Sequence, residues 1–340
     1  MTFAGDHAAD ALLRDLVAPV LGEGGARRAL ALLAIDPAIP GGEPVPRAAM
    51  AMVLNVALFA DLLDRVPTAA AYVAEVSARG ERIVFDHGAL RTIDGETGAL
   101  PCGIAAFARI LEPLGYEVGG VYPLPKLRMT GRAFVQCDFP EAIPQFFVSE
   151  LHVSELGDAA QDAAGRVFGA SPDPLGAAEL QALDAFARDG TCPLDLARAA
   201  LPGLVAAFGR QHPLPALVDY DTLLADSREA GWIATEGNSF NHATTRVPDV
   251  VALAETLKAQ GKPMKADVEI SANRRVRQTA FIADPVERSL GLAGGGTVTR
   301  IVPGSFYEFI SRDVDPATGT LDLTFDSGNA TGIFSVTGAR

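Results

Sequence analysis

Phe85-Asp86-His87-Gly88-Ala89-Leu90-Arg91 and Phe240-Asn241-His242-Ala243-Thr244-Thr245-Arg246 share one pattern, F-[D/N]-H-x-x-x-R. The chain has five histidines, so two in matching heptapeptides argue for an internal duplication. The residues around the first copy, 82–93, alternate and are rich in Ile, Val and Phe, which predicts a strand. A turn follows at 94–98, then a helix at 103–114 closed by Gly115, then strands at 117–122, 132–139 and 145–153. The second copy repeats this order. Residues 240–247 predict a strand and 248–260 a helix with Pro248 at its start and Gly261 at its end. Strand-like segments follow at 264–270, 276–282, 297–302 and 305–314, with a last pair at 321–325 and 331–336. One histidine per copy points to a metal site built between the copies.

The rest of the chain is helical in composition. Residues 11–17 and 29–33 predict short helices separated by Gly22 to Gly25, 53–66 is apolar nearly all round, and 68–78 adds another helix. Residues 155–230, rich in Ala, Leu and Asp, read as a helical insertion. The expectation is an α+β protein. Two β-α-β-β-β modules form a curved mixed or antiparallel sheet, in one compact catalytic domain. The segments are a helical N-terminus (1–80), a first β module (81–154), a helical insertion (155–235) and a second β module (236–340).

Bulk properties narrow the function. At 340 residues the chain can bury a large core. A net charge of −14 argues against nucleic acid, and the one basic cluster, Arg274-Arg275-Val276-Arg277, reads as a solvated strand or a small-anion site. The first residues carry no basic n-region and no apolar h-region, so no secretory signal is expected. The longest apolar run, 48–60, contains Asn55 and falls short of the ~20 residues that span a bilayer, so no membrane partner is expected. Cys102, Cys137 and Cys192 are odd in number and scattered. They argue against a disulfide framework or zinc ribbon and suit a reducing, cytoplasmic setting.

In a strand, residues two apart share a face, so His87, Ala89 and Arg91 point one way, as do His242, Thr244 and Arg246. Two histidines and one carboxylate on one side of an ion leave positions open for substrate and dioxygen, as in non-haem Fe(II) oxygenases. Glu308, within Ser305-Phe306-Tyr307-Glu308-Phe309-Ile310, is the preferred third ligand, because a carboxylate amid such neighbours is costly to bury unpaired. Its rival is the end of the first module, where Glu150 and His152 share a strand face. A lone histidine is more often a satisfied core residue than a ligand; the duplicated context reverses that preference. His7 and His212 sit in loop-like surroundings and read as surface residues. Arg91 lies roughly 13 Å along the strand from His87. That suits an extended small acid with one end on the metal and its far carboxylate on the guanidinium, although a plain surface ion pair fits as well. Arg246, Arg275 and Arg277 are weaker candidates for the same role.

The two histidine motifs, with Ser305-Phe306-Tyr307-Glu308-Phe309, resemble the 2-oxoadipate dioxygenase/decarboxylase (2-hydroxyglutarate synthase) family over about residues 50–340. The resemblance implies a fold related to the vicinal oxygen chelate superfamily. It implies Fe(II) on His87, His242 and Glu308, with Arg91 as the substrate-carboxylate group. It further implies conversion of 2-oxoadipate and dioxygen to D-2-hydroxyglutarate and carbon dioxide, in lysine degradation. Residues 328–337 match the family's C-terminal signature loosely. Ser335 and Val336, as substrate-binding positions there, bear on substrate choice. Two alternatives remain at this level. The same ligands with Zn, Mn or Ni would support a lyase, isomerase or hydrolase reaction, and a related fold could bind a small ligand without catalysis.

Overall fold

The computed structural model describes residues 8–325. The first helices are α1 (Ala8–Leu32), α2 (Arg47–Arg65), preceded by the two-residue strand β1 (Val45–Pro46), and α3 (Pro67–Ala78). The two helices expected in the first segment meet within α1 at a kink at Gly22, where φ is 67°. A positive φ is a conformation that glycine adopts without steric cost. The first module follows as β2 (Phe85–Asp94), α4 (Ala105–Leu111), β3 (Tyr116–Leu124), β4 (Met129–Gln136) and β5 (Gln145–His152). The insertion holds α5 (Asp158–Phe168), α6 (Ala177–Asp189), β6 (Thr191–Cys192), α7 (Leu194–Ala206), α8 (Leu217–Asp226) and α9 (Arg228–Glu236). The second module is β7 (Phe240–Arg246), α10 (Val250–Ala259), β8 (Glu269–Ile270), β9 (Val276–Ala280), β10 (Pro285–Gly291), β11 (Thr297–Pro303) and β12 (Phe306–Arg312).

Eight strands form one sheet in the order β3-β4-β5-β2-β7-β12-β9-β8. The order is symmetric about its centre. Within the modules β2 pairs β5 in parallel and β7 pairs β12 in parallel. The flanking strands pair antiparallel on both sides. The modules join where β2 meets β7 antiparallel. This is a duplicated β-α-β-β-β arrangement in one mixed sheet. Register fixes the correspondence: His87 sits beside Gln145, and His242 beside Phe306. Stepping two residues along each pair makes Phe147 the first-module counterpart of Glu308.

The outer face of the sheet is covered by helices. Phe85, Leu90, Phe146, Phe240, Tyr307 and Phe309 share one core with α2, α3, α6 and α7. Helix α2 is buried nearly all round, as its apolar sequence demands, and its one polar core residue, Asn55, donates to Ala51 O and to Tyr116 Oη. Helices α5, α8 and α9 form a second core with the ends of β2 and β5 and with the paired strands β10 and β11.

Three segments depart from the sequence expectation. The strand expected at 264–270 is reduced to β8 and an isolated bridge from Met264 to Phe281. Pro285–Gly291, with a proline at its head and two charges, carries no strand signal, yet it forms β10 by pairing along its whole length with β11. Residues 321–325 do not form a strand; only Leu321 bridges to Val314. Arg312 Nη1 donates to the carbonyls of Asp322 and Thr324, so a side chain supplies what a ladder would have supplied. The strand expected at 331–336 lies outside the described residues.

Candidate metal centre

Both histidines owe their direction to a β-bulge. In the β2–β7 ladder, Phe85 pairs Thr245 and His87 pairs Thr244, which leaves Asp86 extra. Further along, Ala89 pairs His242 and Leu90 pairs Phe240, which leaves Asn241 extra. Regular alternation would put the Phe and His of each motif on one face. The bulged residue between them sends Phe85 and Phe240 into the helix-covered core and both imidazoles to the inner face. The carbonyl of Phe240 at the second bulge accepts from Ser305 Oγ at 2.7 Å and from Arg65 Nη2 at 3.2 Å, so α2 secures it.

Glu308 reaches the same face from β12 beside Thr244. The donor atoms of His87, His242 and Glu308 all lie within 4.8 Å of one another, and all three residues are buried. His242 Nε2 is 2.9 Å and His87 Nε2 3.6 Å from Glu308 Oε2. Thr244 Oγ1 donates to the same Oε2 at 2.9 Å and lies 3.1 Å from His87 Nε2. Two donors about 2.1 Å from one ion and at right angles are about 3 Å apart, so the spacing fits a shared divalent ion. Among the described residues, Glu308 Oε1 and His242 Nδ1 are buried without a hydrogen-bond partner, and a buried carboxylate oxygen left bare is costly. A cation at the convergence of these donors would relieve Glu308. Asp86 accepts from His87 Nδ1 at 2.9 Å and thereby leaves Nε2 for the ion.

Electrostatics separate the groups. Burial alone would raise the Glu308 carboxyl; the two imidazoles facing it reverse this and hold it at about 2. Asp86 is also held well below the usual carboxylate range, because Arg312 and His87 outweigh its burial. His87 is raised, with Asp86 and Glu308 overcoming desolvation. His242, without an acid on Nδ1, is lowered by burial, and His87 and Arg91 push it the same way.

Arg91 is fully buried on the inner face. Its Nε is 2.9 Å from Glu229 of α9, and its guanidinium lies 4.5 Å above the ring of Trp232. Burial raises the Glu229 carboxyl, opposed by Arg91. Of the other arginines, Arg246 lies 3.9 Å from Asp86 at the edge of the site. Arg275 pairs with Asp315 and Asp322, and Arg277 with Asp313, away from the three donors. The rival pair, Glu150 and His152, forms a second candidate group with Asp94, its donor atoms likewise within 4.8 Å of one another, and each member has bonds of its own. Glu150 accepts from Ile104 N and Arg132, and His152 bonds Asp94 and Thr130. His212, expected at the surface, is buried against Phe168 and the carbonyls of Pro213 and Ile233, because α5 and α9 close over its loop. His7, Ser335 and Val336 lie outside the described residues.

Phe306, Phe147 and Phe325 line the site. Phe306 packs 4.7 Å from the His242 ring, and Phe325 lies 4.8 Å from the His87 ring and 4.9 Å from Phe147. Asp86, Glu229 and Arg312 receive no role from the sequence alone, since their part depends on which side chains they meet across the fold. Arg312 had a signal: it follows Glu308 by the same four residues that separate His87 from Arg91 and His242 from Arg246.

Duplicated modules joined at their histidine strands, with two imidazoles and one carboxylate converging on the inner face, define the class: an α+β protein with an internally repeated sheet and a candidate metal centre. The family model for 2-oxoadipate dioxygenase/decarboxylase matches residues 47–317, and the chain belongs to that family. The Arabidopsis thaliana chloroplastic 2-oxoadipate dioxygenase/decarboxylase is 23% identical over 308 residues, covering 81% of this chain and 74% of that protein. A glyoxalase-superfamily protein of Ralstonia eutropha JMP134 superposes with a TM-score of 0.90 at 49% identity, over 95% of this chain and 99% of that one. The hydroxyglutarate synthase of Oryza sativa, solved with 2-oxoadipate, superposes with a TM-score of 0.67 at 21% identity, over 89% and 98%. No helix among the described residues is long and apolar enough to cross a membrane.

Proposed function

We propose that this chain is an Fe(II)-dependent dioxygenase/decarboxylase that converts 2-oxoadipate and dioxygen to D-2-hydroxyglutarate and carbon dioxide. The observation that carries the proposal is the convergence of His87 Nε2, His242 Nε2 and Glu308 Oε2 on the inner face, in a chain of this family. Bound Fe(II) would supply the redox chemistry and the site at which a 2-oxo acid and dioxygen meet.

The protein's own groups prepare that encounter. Asp86 keeps the proton on His87 Nδ1, so Nε2 presents its lone pair inward. Thr244 donates to Glu308 Oε2 and fixes the carboxylate plane. Phe147, Phe306 and Phe325 exclude water from one side, which protects reactive species and strengthens local electrostatics. Arg91, set by Glu229 and Trp232, receives the far carboxylate of the diacid. Its buried anchoring fixes the guanidinium before substrate arrives.

The test is anaerobic loading with Fe(II), followed by oxygen-electrode traces with 2-oxoadipate and chiral analysis of the product. Stoichiometric oxygen uptake and carbon dioxide release are expected. Absence of oxygen uptake across a panel of 2-oxo acids, from protein shown to hold Fe(II), would replace this function with a non-oxidative metal-dependent one.

A further inference from the structure

We infer that Arg312 is a positioning residue that ties the His87 imidazole to the segment 313–325, so that ordering the metal centre and seating this strap are one event. The inference rests on the proposed metal-dependent function and concerns residues beyond the ligand set.

Arg312 divides its donors between two clients. Nε and Nη2 donate to the Asp86 carboxylate at 3.0–3.1 Å, and Asp86 accepts from His87 Nδ1. Nη1 donates to Asp322 O at 2.8 Å and Thr324 O at 2.9 Å. The same guanidinium lies 5.0 Å from the Phe325 ring, whose plane stands at 89° to the His87 ring. The strap therefore touches His87 twice, once through Phe325 directly and once through Arg312 and Asp86. It is pinned further by Asp322, which takes Arg275 Nε and Asn273 Nδ2, and by Phe325 N donating to Tyr122 Oη.

A fully buried arginine with both ends engaged has one arrangement that satisfies all its donors. If the strap lifts, Nη1 loses two carbonyls in a buried site, and the guanidinium must shift or rehydrate. Either outcome releases Asp86 and with it the orientation of His87. The wiring is one-sided. At the equivalent place in the second module stands Asn241, whose amide oxygen, like His242 Nδ1, has no hydrogen-bond partner among the described residues. Among the described residues the strap reaches the first imidazole through Asp86 and Phe325; linkage makes the effect reciprocal, so metal binding seats the strap and loosening the strap weakens metal binding.

The experiment follows Co(II) binding by its visible spectrum and amide exchange over residues 313–325, in wild type, Arg312→Met, Arg312→Lys and Asp322→Ala. In wild type, Co(II) should slow exchange in the strap. Arg312→Met should bind Co(II) roughly 10–100-fold more weakly, the usual effect of losing a partner behind a metal-bound histidine. Its strap should exchange at one fast rate with or without metal. Arg312→Lys cannot serve both clients and should show the same loss of coupling if the Met variant does not fold. Asp322→Ala, which touches no ligand, should also weaken Co(II) binding. Unchanged Co(II) affinity in a folded Arg312 variant would overturn the inference, and so would metal-induced protection of the strap that survives Arg312 substitution. Wild type that binds neither Co(II) nor Fe(II) would instead refute the metal-dependent function, and the coupling would fall with it.

Discussion

Replacing Glu229 by Met should cost about 3–5 kcal/mol of stability, and replacing Arg91 by Met as well should recover most of it. The two side chains are only 1% and 5% exposed, and the guanidinium and carboxylate stand 2.9 Å apart. At an effective dielectric constant of ~20 their attraction is about 6 kcal/mol, most of it offset by removing two ions from water. Deleting Glu229 takes the carboxylate away from a buried guanidinium lying over Trp232, which is the expensive case; deleting both leaves two apolar side chains of similar length. The assay is urea denaturation of the two single variants and the double variant, with equal m-values confirming a common transition. The same proteins should then be titrated with 2-oxoadipate after metal loading. The double variant should be near wild type in stability yet lose affinity for the diacid, because the charge that meets the far carboxylate is gone. A Glu229→Met variant within about 1 kcal/mol of wild type would refute the ion-pair argument. A restored double variant that binds 2-oxoadipate normally would refute the assignment of Arg91 to the substrate.

Three further outcomes are expected. Gly88→Ala places a Cβ 2.2–2.9 Å from three ring carbons of Phe240. It should cost about 1–3 kcal/mol by overpacking and displace the adjacent His87, and a Gly88→Ala/Phe240→Leu double variant should regain stability in denaturation experiments. Glu308→Ala should abolish stoichiometric Fe(II) binding and 2-oxoadipate-dependent oxygen uptake while keeping the far-ultraviolet spectrum. Asp322 supplies a pH test. Burial would raise it, but Thr324, Arg275 and Asn273 hold it at about 2, below its ordinary 3.8. A depressed folded-state value means its stabilisation is complete above about 3.8 and is lost as pH falls towards 2. Pepsin cleavage within 313–325 should therefore rise steeply across that window, and Asp322→Asn should be cleaved readily at its upper end and change little within it.

Much of the scaffold was legible because the duplication repeats an order of periods, strand then helix then strands, that survives divergence. The histidines were legible by their shared motif and Glu308 by a charge among aromatics. Their common face was only half legible. Alternation gives faces in a regular strand, and the bulges at Asp86 and Asn241 change the count inside the very motif that carries the two histidines. The Arg91–Glu229 pair was out of reach, since α9 lies far along the chain and nothing in its sequence names the strand it meets. The strand at Pro285–Gly291 was missed for a related reason: its structure comes from pairing with β11 and not from its own composition.

The near-twofold arrangement of the modules has an end that the histidines do not show. Where the second module offers Glu308, the first offers Phe147, whose ring meets Phe325 and Tyr122. Perfect symmetry would have put a second acid there and surrounded the ion with four protein donors, the closed shell of a purely structural centre. A single aromatic in place of a carboxylate leaves that quadrant greasy and chemically unclaimed. Reactivity in such a duplicated scaffold would then begin where one copy stopped resembling the other.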